Sequence, residues 1–573
     1  MDIEKKNTKI KFDILAIVCI VIFCISITPR TMQNDTFYTV KIGELIVNNG
    51  IDMQDHFSWH KDLPYTYPHW AYDTGMYLIY HLGEMSGIAD GGMLFVYIST
   101  VILACILGVL IYVTTSKVSK NSLISFLLTL LAMYLLKDFV AARAQLLTFN
   151  LFVLTVLLIE NFLENNKKIY LLGLILISII IANVHVAVWP FFFVLFLPYI
   201  AEYIIATITE KNIISKILIL IKKKKVRHVY KQIENNKSAE NIEKLNIKLE
   251  KAKKELLERE QKEEKVIQEK KIRKQNPYKI KTIRKPQVKW LILVVIICAF
   301  TGLLTPLGDT PYTYLVKTMQ GNTTKSINEH QPLVLYNELE TMTAIATVLI
   351  ILIFTDTKIK LADLFMMAGL IFLSFMSKRQ VSLLILIGVP IFAKWLQYLA
   401  QKYEKEEQPK LMKLMTTYLG KVITLVIVVV ISMAMYKPKM NNPFIDQNKY
   451  PVKAATWILE NLDIEKIRLY NEYNYGSYLV YRGIPVFIDS RADLYAPEFN
   501  KRDETEGKDI FSDYINISSI GTYYETKFDE YQITHVIVVN NAKLNMFLSR
   551  NDSYKQLYKD DEFVIYERTI KER

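Results

Sequence analysis

The sequence NDTFYTVKIGELIVNNGIDMQDHFSWHKDLPYTYPHW, residues 34–70, lies between two apolar runs that are each long enough to cross a bilayer. A loop that only connects two membrane spans is usually short. This loop is long and carries acidic and imidazole side chains, among them Asp35, Asp52, Asp55, His56, His60 and His69. Ionisable groups next to a membrane usually have a function. The stretch therefore predicts a site at one face of a membrane protein.

The rest of the chain has a membrane composition, with 51% hydrophobic residues among 573. Several apolar runs are shorter than the roughly 20 residues of a perpendicular span, so a pair of them could be re-entrant. We expect a polytopic α-helical membrane protein with about eleven spans, the first of them an uncleaved signal anchor. The runs are 12–28, 92–113, 122–136, 146–163, 169–182, 186–206, 290–305, 342–355, 362–377, 381–398 and 421–436.

The net charge of +13 is concentrated in residues 222–289, which contain 24 Lys or Arg and 10 Glu. Such a block can bind nucleic acid. Between membrane spans, however, it is typical of the positive-inside effect, which places it in the cytoplasm. We therefore expect no nucleic-acid partner. The four cysteines all fall in predicted spans, so the sequence indicates neither a disulfide framework nor a zinc finger.

Placing this basic block inside orients the other segments. The N-terminus is then cytoplasmic, and the chain is a multi-pass protein of the plasma membrane. We predict an N-terminal membrane region, 1–221, with the outer loop 29–91, and a cytoplasmic insertion, 222–289. A second membrane region, 290–436, and an extracytoplasmic α/β domain, 437–573, complete the chain.

The insertion 222–289 predicts a polar helix from about residue 231 to 274. Its charged composition favours a solvated helical hairpin or a loose insertion. The alternative, based on a patchy heptad of apolar residues, is a coiled coil that binds a protein partner.

Region 437–573 alternates short β-like runs with helical stretches, which predicts a mostly parallel sheet. Asp489, Arg491 and Asp493 follow the second expected strand, at the sheet edge where ligands of open α/β sheets bind. They form either part of a binding site or a structural ion pair. The expected strands are Ile467–Tyr470, Gly483–Ile488, His535–Val539 and Phe563–Tyr566.

The predicted outer turns all carry a charged or imidazole group next to the membrane, which indicates one shared cavity. The chain has no phosphate-binding loop, nucleophile elbow, HExxH or Rossmann fingerprint. His56 and His60 have the spacing of a helical metal pair, but prolines intervene before His69. Metal binding and interfacial hydrogen bonding both remain open for these histidines. Trp59 and its neighbouring aromatic residues belong to a lipid-facing belt, a sugar platform or both.

These motifs, in this order, resemble the GT-C superfamily of integral membrane glycosyltransferases, which use polyprenyl-phosphate sugars as donors. The nearest types are the protein-mannosyltransferases, the aminoarabinose transferases and related bacterial proteins. Thr36 stands where a second acidic residue often follows Asp35, and Ala144 replaces the usual proline. The WWDYG acceptor motif of oligosaccharyltransferases is absent. The matching motifs are D-x-F-S at 55–58, ARAQ at 142–145, N-x-H at 183–185, I-x-E-x-Q at 327–331 and N-x-Y-x-x-G…FIDxR at 471–491.

The resemblance implies transfer of a hexosyl or pentosyl group from a polyprenyl-phosphate donor at the outer face. The acceptor is a glycan, a lipid or a protein. Asp35 is the candidate base, or else the N-cap of the helix that follows it. Asp55 is the second candidate base. Candidate donor-phosphate residues are Arg143, Lys378 and Arg379, and candidate cavity-lining residues are His56, Trp59, His69, Gln145, Asn183, His185, Glu329 and His330.

We expect no cofactor, although a divalent metal ion remains open. Two other functions compete with transfer. A transporter or flippase for a lipid-linked or anionic solute would also need charged groups in the membrane. A non-catalytic scaffold would use the insertion 222–289 to recruit partners.

Overall fold

The computed structural model describes residues 2–210, 213–235, 239–275, 279–321, 323, 327–334, 336, 338–354, 358–403, 410–501, 507–521 and 523–569. Within these ranges, six apolar helices are long enough to cross a membrane, and five shorter ones accompany them. Each expected apolar run coincides with a helix, so the polytopic helical fold is confirmed. The membrane helices are Asp2–Ile27, Gly91–Ser119, Ser122–Leu135, Ala144–Asn165, Ile169–Val184, Trp189–Val194 with Leu197–Glu210, Val288–Thr301, Leu339–Phe354, Leu361–Met376, Val381–Tyr403 and Tyr418–Tyr436.

The membrane helices bury an apolar core and also expose large apolar side chains on their outer faces. Ile14, Ile102 and Phe372 are between 53% and 64% exposed, a pattern that is costly in water. In lipid it costs little, because the acyl chains are as apolar as the protein interior. The exposure pattern therefore fits helices surrounded by a bilayer.

The loop between the first two spans has a fold of its own. It contains helices Asn34–Asn49 and Trp70–Met85, which pack closely together. A Cβ at Gly43 would lie 2.1 Å from the Asp73 backbone oxygen, so only glycine permits this approach. The loop also packs against the C-terminal domain. The ring centroids of Phe37 in the loop and Tyr478 in the domain are 5.2 Å apart.

The basic insertion forms a helical hairpin, as one of its alternatives predicts, although its two helices extend beyond the expected range 231–274. Helix Ile213–Glu234 turns back into helix Ala239–Gln275. Lys222 pairs with Glu255 at 3.0 Å, and Lys223 pairs with Glu260 at 3.1 Å. After the hairpin, strand β1 (Ile280–Lys281) pairs in parallel with β2 (Ile359–Lys360), which ties the insertion to the second membrane region. A protein partner for this hairpin stays a prediction.

The C-terminal domain is an α/β domain, but its sheet is mostly antiparallel, so the expectation of a mostly parallel sheet is wrong. Its strands are β3 (Leu469–Tyr470), β4 (His535–Val539), β5 (Tyr554–Lys559) and β6 (Phe563–Arg568), in the order β3-β4-β6-β5. Only the β3–β4 pair is parallel among these described strands. The helices are Val452–Asn461, Tyr473–Tyr481, Pro497–Asn500, Ile510–Ser519, Tyr524–Tyr531 and Lys543–Leu548.

The run Gly483–Ile488, expected as a strand, pairs with the first loop instead of the sheet. The Trp59 backbone N–H donates to the Val486 carbonyl at 3.2 Å, and the Val486 N–H donates to the Phe57 carbonyl at 3.2 Å. This pairing fastens the first loop to the C-terminal domain. Two described α-helices belong neither to the membrane set, nor to the first loop, the hairpin or the C-terminal domain. They are Thr310–Gln320 and Lys410–Met415.

Candidate functional site

A cavity of about 1400 Å³ lies where the membrane helices, the first loop and the C-terminal domain meet. Asp35, Arg143, His185, Glu329 and Arg379, which come from five separate segments, all line it. His69, Gln145 and His330 from the predicted set line it as well. The structure therefore brings together most of the residues that the topology assigned to one side, while their chemical roles stay predictions.

Three of the residues, Arg143, His185 and Arg379, converge because each lies next to the end of a membrane helix on the same side of the bundle. Arg143 directly precedes helix Ala144–Asn165, and His185 directly follows the neighbouring helix Ile169–Val184. Arg379 lies in the short turn between helices Leu361–Met376 and Val381–Tyr403. Antiparallel helices place such alternate ends on one side of the bundle.

Asp35 forms an ion pair with Arg143, through Oδ2 and Nη2. The other terminal nitrogen of the same guanidinium, Nη1, lies 3.6 Å from Glu329 Oε1. The N-cap of helix Asn34–Asn49 is Gln33, which makes no side-chain cap hydrogen bond, and Asp35 lies in the first turn. The alternative in which Asp35 is the N-cap is therefore wrong. Its carboxylate faces the cavity instead.

Two imidazoles lie next to each other in the cavity wall. The ring centroids of His69 and His185 are 4.8 Å apart in an edge-to-face arrangement. Burial, and then the positive charge of Arg379, lowers the pKa of His69 to about 4, and the same two causes lower the pKa of His330 to about 4. The rings of His69 and His330 are therefore neutral near pH 7, and the positive charge of the cavity belongs to its arginines.

The C-terminal domain supplies the opposite wall, with Tyr473, Asn474, Ser490 and Asp493. The Tyr314 hydroxyl donates a hydrogen bond to the Asp493 carboxylate. Burial raises the pKa of Asp493 above its ordinary value, although this hydrogen bond opposes the rise. Asp493 thus lines the cavity, which agrees with the binding-site alternative for this residue of the domain.

Asp55, Asp489 and Arg491 form a buried ionic cluster beside the cavity. Arg491 Nη1 lies 2.6 Å from Asp55 Oδ1, and Arg491 Nη2 lies 2.6 Å from Asp489 Oδ2. Each of these side chains is at most 3% exposed. The geometry supports the structural ion pair for Asp489 and Arg491. Arg491 also reaches the cavity wall.

Asp55, the second candidate base, is outside the cavity lining, and its oxygens are already occupied. It accepts hydrogen bonds from the Ser58 N–H at 2.9 Å and from the Ser58 hydroxyl at 2.5 Å, besides the Arg491 pair. Burial alone would raise the pKa of Asp55, but the Arg491 charge and the Ser58 hydrogen bonds outweigh it and lower the pKa. This environment suits a structural carboxylate that joins the loop to the domain, and it does not suit a base.

Four predicted residues lie outside the cavity lining because each is bound elsewhere. His56 pairs with an aspartate of its own loop at 2.6 Å, and Trp59 Nε1 donates to a β3 carbonyl at 2.9 Å. Asn183 accepts from a tryptophan Nε1 at 3.1 Å and donates to a carbonyl at 3.0 Å. Lys378 Nζ donates to the Asn328 side-chain oxygen at 3.0 Å.

Several other lining residues are outside the predicted set. Tyr65 is one of the aromatic neighbours of Trp59 in the first loop, whereas Tyr38 lies on helix Asn34–Asn49 and belongs to no recognised motif. Tyr314 lies on helix Thr310–Gln320, for which no motif was recognised. Tyr473 and Asn474 lie inside the N-x-Y-x-x-G motif, so that motif did mark the domain wall of the cavity.

In the described ranges, no three His, Cys, Asp or Glu side chains are grouped so as to hold a metal ion. Asp35 and Glu329, two of the carboxylates that line the cavity, both approach the guanidinium of Arg143.

A second, apolar cavity of about 340 Å³ adjoins the first among the membrane helices. Phe191 and Leu373 line both cavities, so the apolar space continues from the polar one. Its other walls are hydrophobic except for backbone atoms, and include Phe152, Val194, Phe365 and Ile387.

Two solved structures of the Archaeoglobus fulgidus oligosaccharyltransferase share the fold. The apo form has a TM-score of 0.50 and 12% identity, covering 92% of this chain and 69% of that chain. The complex with an inhibitory peptide and a dolichol-phosphate has a TM-score of 0.50 and 11% identity, covering 97% and 74%. No protein-family profile and no curated protein matches the chain. The similarity confirms the expected fold, a polytopic helical membrane protein with a C-terminal domain.

Proposed function

We propose that this chain, which has a GT-C fold, is a membrane glycosyltransferase that moves a sugar from a polyprenyl-phosphate donor to an acceptor at the outer face. The observation that carries the proposal is the convergence of Asp35, Arg143 and Arg379, from three segments, on one cavity that continues into an apolar space. A lipid-linked phosphate needs such a pair of environments. The oligosaccharyltransferase of the same fold was solved with a dolichol-phosphate.

The donor binds in both cavities, with its phosphate in the first cavity and its lipid chain in the apolar one. Arg143 and Arg379 offer planar guanidinium groups, which bind phosphate oxygens with two parallel hydrogen bonds. The apolar cavity beyond Phe191 and Leu373 suits the first isoprene units of the lipid. A donor held in this way presents its sugar to the polar cavity.

Transfer then requires one proton acceptor and one stabilised leaving group. Asp35 removes the proton from the acceptor hydroxyl, and the resulting oxygen nucleophile forms a bond to the anomeric carbon of the sugar. The bond from that carbon to the phosphate oxygen breaks, and the electron pair leaves with the lipid phosphate. The guanidinium charges stabilise the phosphate as its negative charge increases.

The acceptor side is assigned to the C-terminal domain. Tyr473, Asn474, Ser490 and Asp493 line the same cavity as Asp35 and offer hydroxyl, amide and carboxyl groups for hydrogen bonding. The same wall is joined to the first loop through the Asp55–Arg491 pair at 2.6 Å. Base and acceptor wall are therefore held in a fixed relation.

The outer-face assignment rests on the position of the hairpin. Ala187 and Phe191, at the start of the span Val186–Thr209, line the cavity, and the hairpin begins just beyond the other end of that span. The cavity and the basic hairpin thus lie at opposite ends of the bundle. Because basic segments stay in the cytoplasm, the cavity faces outward.

Photo-crosslinking with a diazirine polyprenyl phosphate tests the proposal, using the purified protein in nanodiscs. We expect Arg379→Gln to reduce labelling by about tenfold, the loss of one charged hydrogen-bonding partner. Lys378→Gln is the matched control, because it removes the same charge one residue away and outside the cavity lining. Equal labelling of wild type and both variants would contradict donor binding at this site.

A further inference from the structure

The guanidinium of Arg143 contacts two acidic side chains that come from separate segments of the chain. It pairs with Asp35 from the first loop and lies 3.6 Å from Glu329 of the turn Asn328–His330. Two carboxylates that meet in one cavity repel each other unless a cation lies between them. Here that cation belongs to the protein.

A divalent cation at this position would need the same carboxylate oxygens, because Mg²⁺ and Mn²⁺ prefer oxygen ligands. It would also need further ligands close by. The residue after Asp35 is Thr36, which is fully buried and donates its hydroxyl to the Ala142 carbonyl at 3.3 Å. The neighbouring side chain thus supports the backbone beside Arg143 and offers no carboxylate to a metal.

The charges of the cavity also balance without a metal. Three acidic side chains, Asp35, Glu329 and Asp493, and three arginines, Arg143, Arg379 and Arg491, line it. The histidines His69 and His330 are neutral near pH 7, as shown above. Arg379 remains available to a phosphate, and Arg143 reaches the cavity while it holds the carboxylates.

We infer that Arg143 takes the place of a divalent cation, so that this cavity holds Asp35 and Glu329 together and receives a lipid phosphate without a bound metal. The phosphate part of this inference rests on the proposed function; the exclusion of a metal by Arg143 does not. The guanidinium has two effects that a bound metal ion would otherwise have. It holds the two carboxylates in position, and it adds positive charge beside the leaving phosphate.

Manganese binding tests the inference independently of activity. Electron paramagnetic resonance of Mn²⁺ titrated into the purified full-length protein measures the free ion. We expect wild type and Asp35→Asn to bind the same small amount of Mn²⁺. We expect Arg143→Ala to bind Mn²⁺ at least about tenfold more tightly, because a positive charge next to two carboxylates has been removed. Arg143→Gln is measured alongside in case the alanine variant does not fold, with gel filtration and thermal melting as checks.

Two results would overturn the inference. The first is uptake of about one Mn²⁺ per wild-type chain that is lost in Asp35→Asn. The second is a folded Arg143 variant that binds Mn²⁺ no better than wild type. Neither result bears on the crosslinking of polyprenyl phosphate, so the inference and the proposed function can fail separately.

Discussion

Asp35 and Asp55 are two candidate bases whose roles cannot be distinguished until the structure shows their surroundings. Both are acidic residues of the same loop, and the sequence makes Asp35 the first and Asp55 the second candidate base. The structure separates them: Asp35 lines the cavity beside Arg143, whereas Asp55 is buried against Arg491. The difference depends on Arg491, which lies 436 positions along the chain from Asp55 and which no local pattern links to it.

Replacing Asp35 by asparagine should abolish transfer and leave the fold intact. The amide keeps the shape of the side chain but cannot accept the acceptor proton, so we expect a loss of at least about 100-fold. The measurement is transfer from a panel of radiolabelled polyprenyl-phosphate sugars to acceptors in native membranes. Asp52→Asn is the control, because Asp52 belongs to the same loop and pairs with His56 outside the cavity. Full activity of the Asp35 variant would exclude it as the base.

Replacing Arg491 by methionine should destabilise the protein. The change leaves Asp55 and Asp489 buried without their cation, which typically costs about 3–5 kcal/mol. We expect a clear fall in the thermal midpoint measured by intrinsic fluorescence in detergent. Arg550→Met, in an exposed position, should change the free energy of unfolding by about 0.5 kcal/mol or less. Equal midpoints for the two variants would show that the buried cluster has no structural role.

His69 should make stability depend on pH. Its pKa is lowered to about 4 in the folded protein, so below the ordinary value of 6.5 the unfolded chain binds a proton that the folded chain does not. Stability should therefore fall as pH drops from about 6.5 to 4, by up to about 2 kcal/mol from this group at pH 5. Thermal melting of wild type and His69→Gln at pH 7 and pH 5 measures it, with the exposed His81→Gln as control. An unchanged pH slope in His69→Gln would contradict the assignment.

At the scale of elements, apolar run length predicted the helices well, because a membrane helix satisfies its backbone within one segment. The sheet was less predictable. The sequence YKQLYK of β5 has largely exposed side chains and no apolar alternation, so it was missed. The run Gly483–Ile488 is apolar because the first loop covers it, and a pattern of residues cannot distinguish that burial from burial in a sheet.

The hairpin is an element that donor binding should not need. Replacing residues 226–252 by a short Gly/Ser turn keeps the Lys222–Glu255 and Lys223–Glu260 pairs at its base. We expect crosslinking of polyprenyl phosphate to stay within about twofold of wild type, because a surface connection tolerates a change in length. Loss of labelling in a folded, membrane-inserted variant would instead favour a scaffold that works through the hairpin.

At the scale of the whole molecule, the cavity joins residues that are far apart in sequence: Asp35 and Arg379 are 344 positions apart, and Asp35 and Asp493 are 458 positions apart. Charge bias placed these residues on one side of a membrane, and this was sufficient to predict that they meet. It was not sufficient to predict which of them face the cavity. That choice depends on the docking of the C-terminal domain, which engages Trp59 and Asp55 and leaves Asp35 free to reach Arg143.

A cryo-electron microscopy structure of the protein in nanodiscs with saturating polyprenyl phosphate tests the central claim most directly. The account predicts density for the phosphate within hydrogen-bonding distance of Arg379 and beside Arg143, with the first isoprene units in the apolar cavity past Phe191 and Leu373. A phosphate bound at another surface, or a polar cavity that stays empty at saturation, would contradict it.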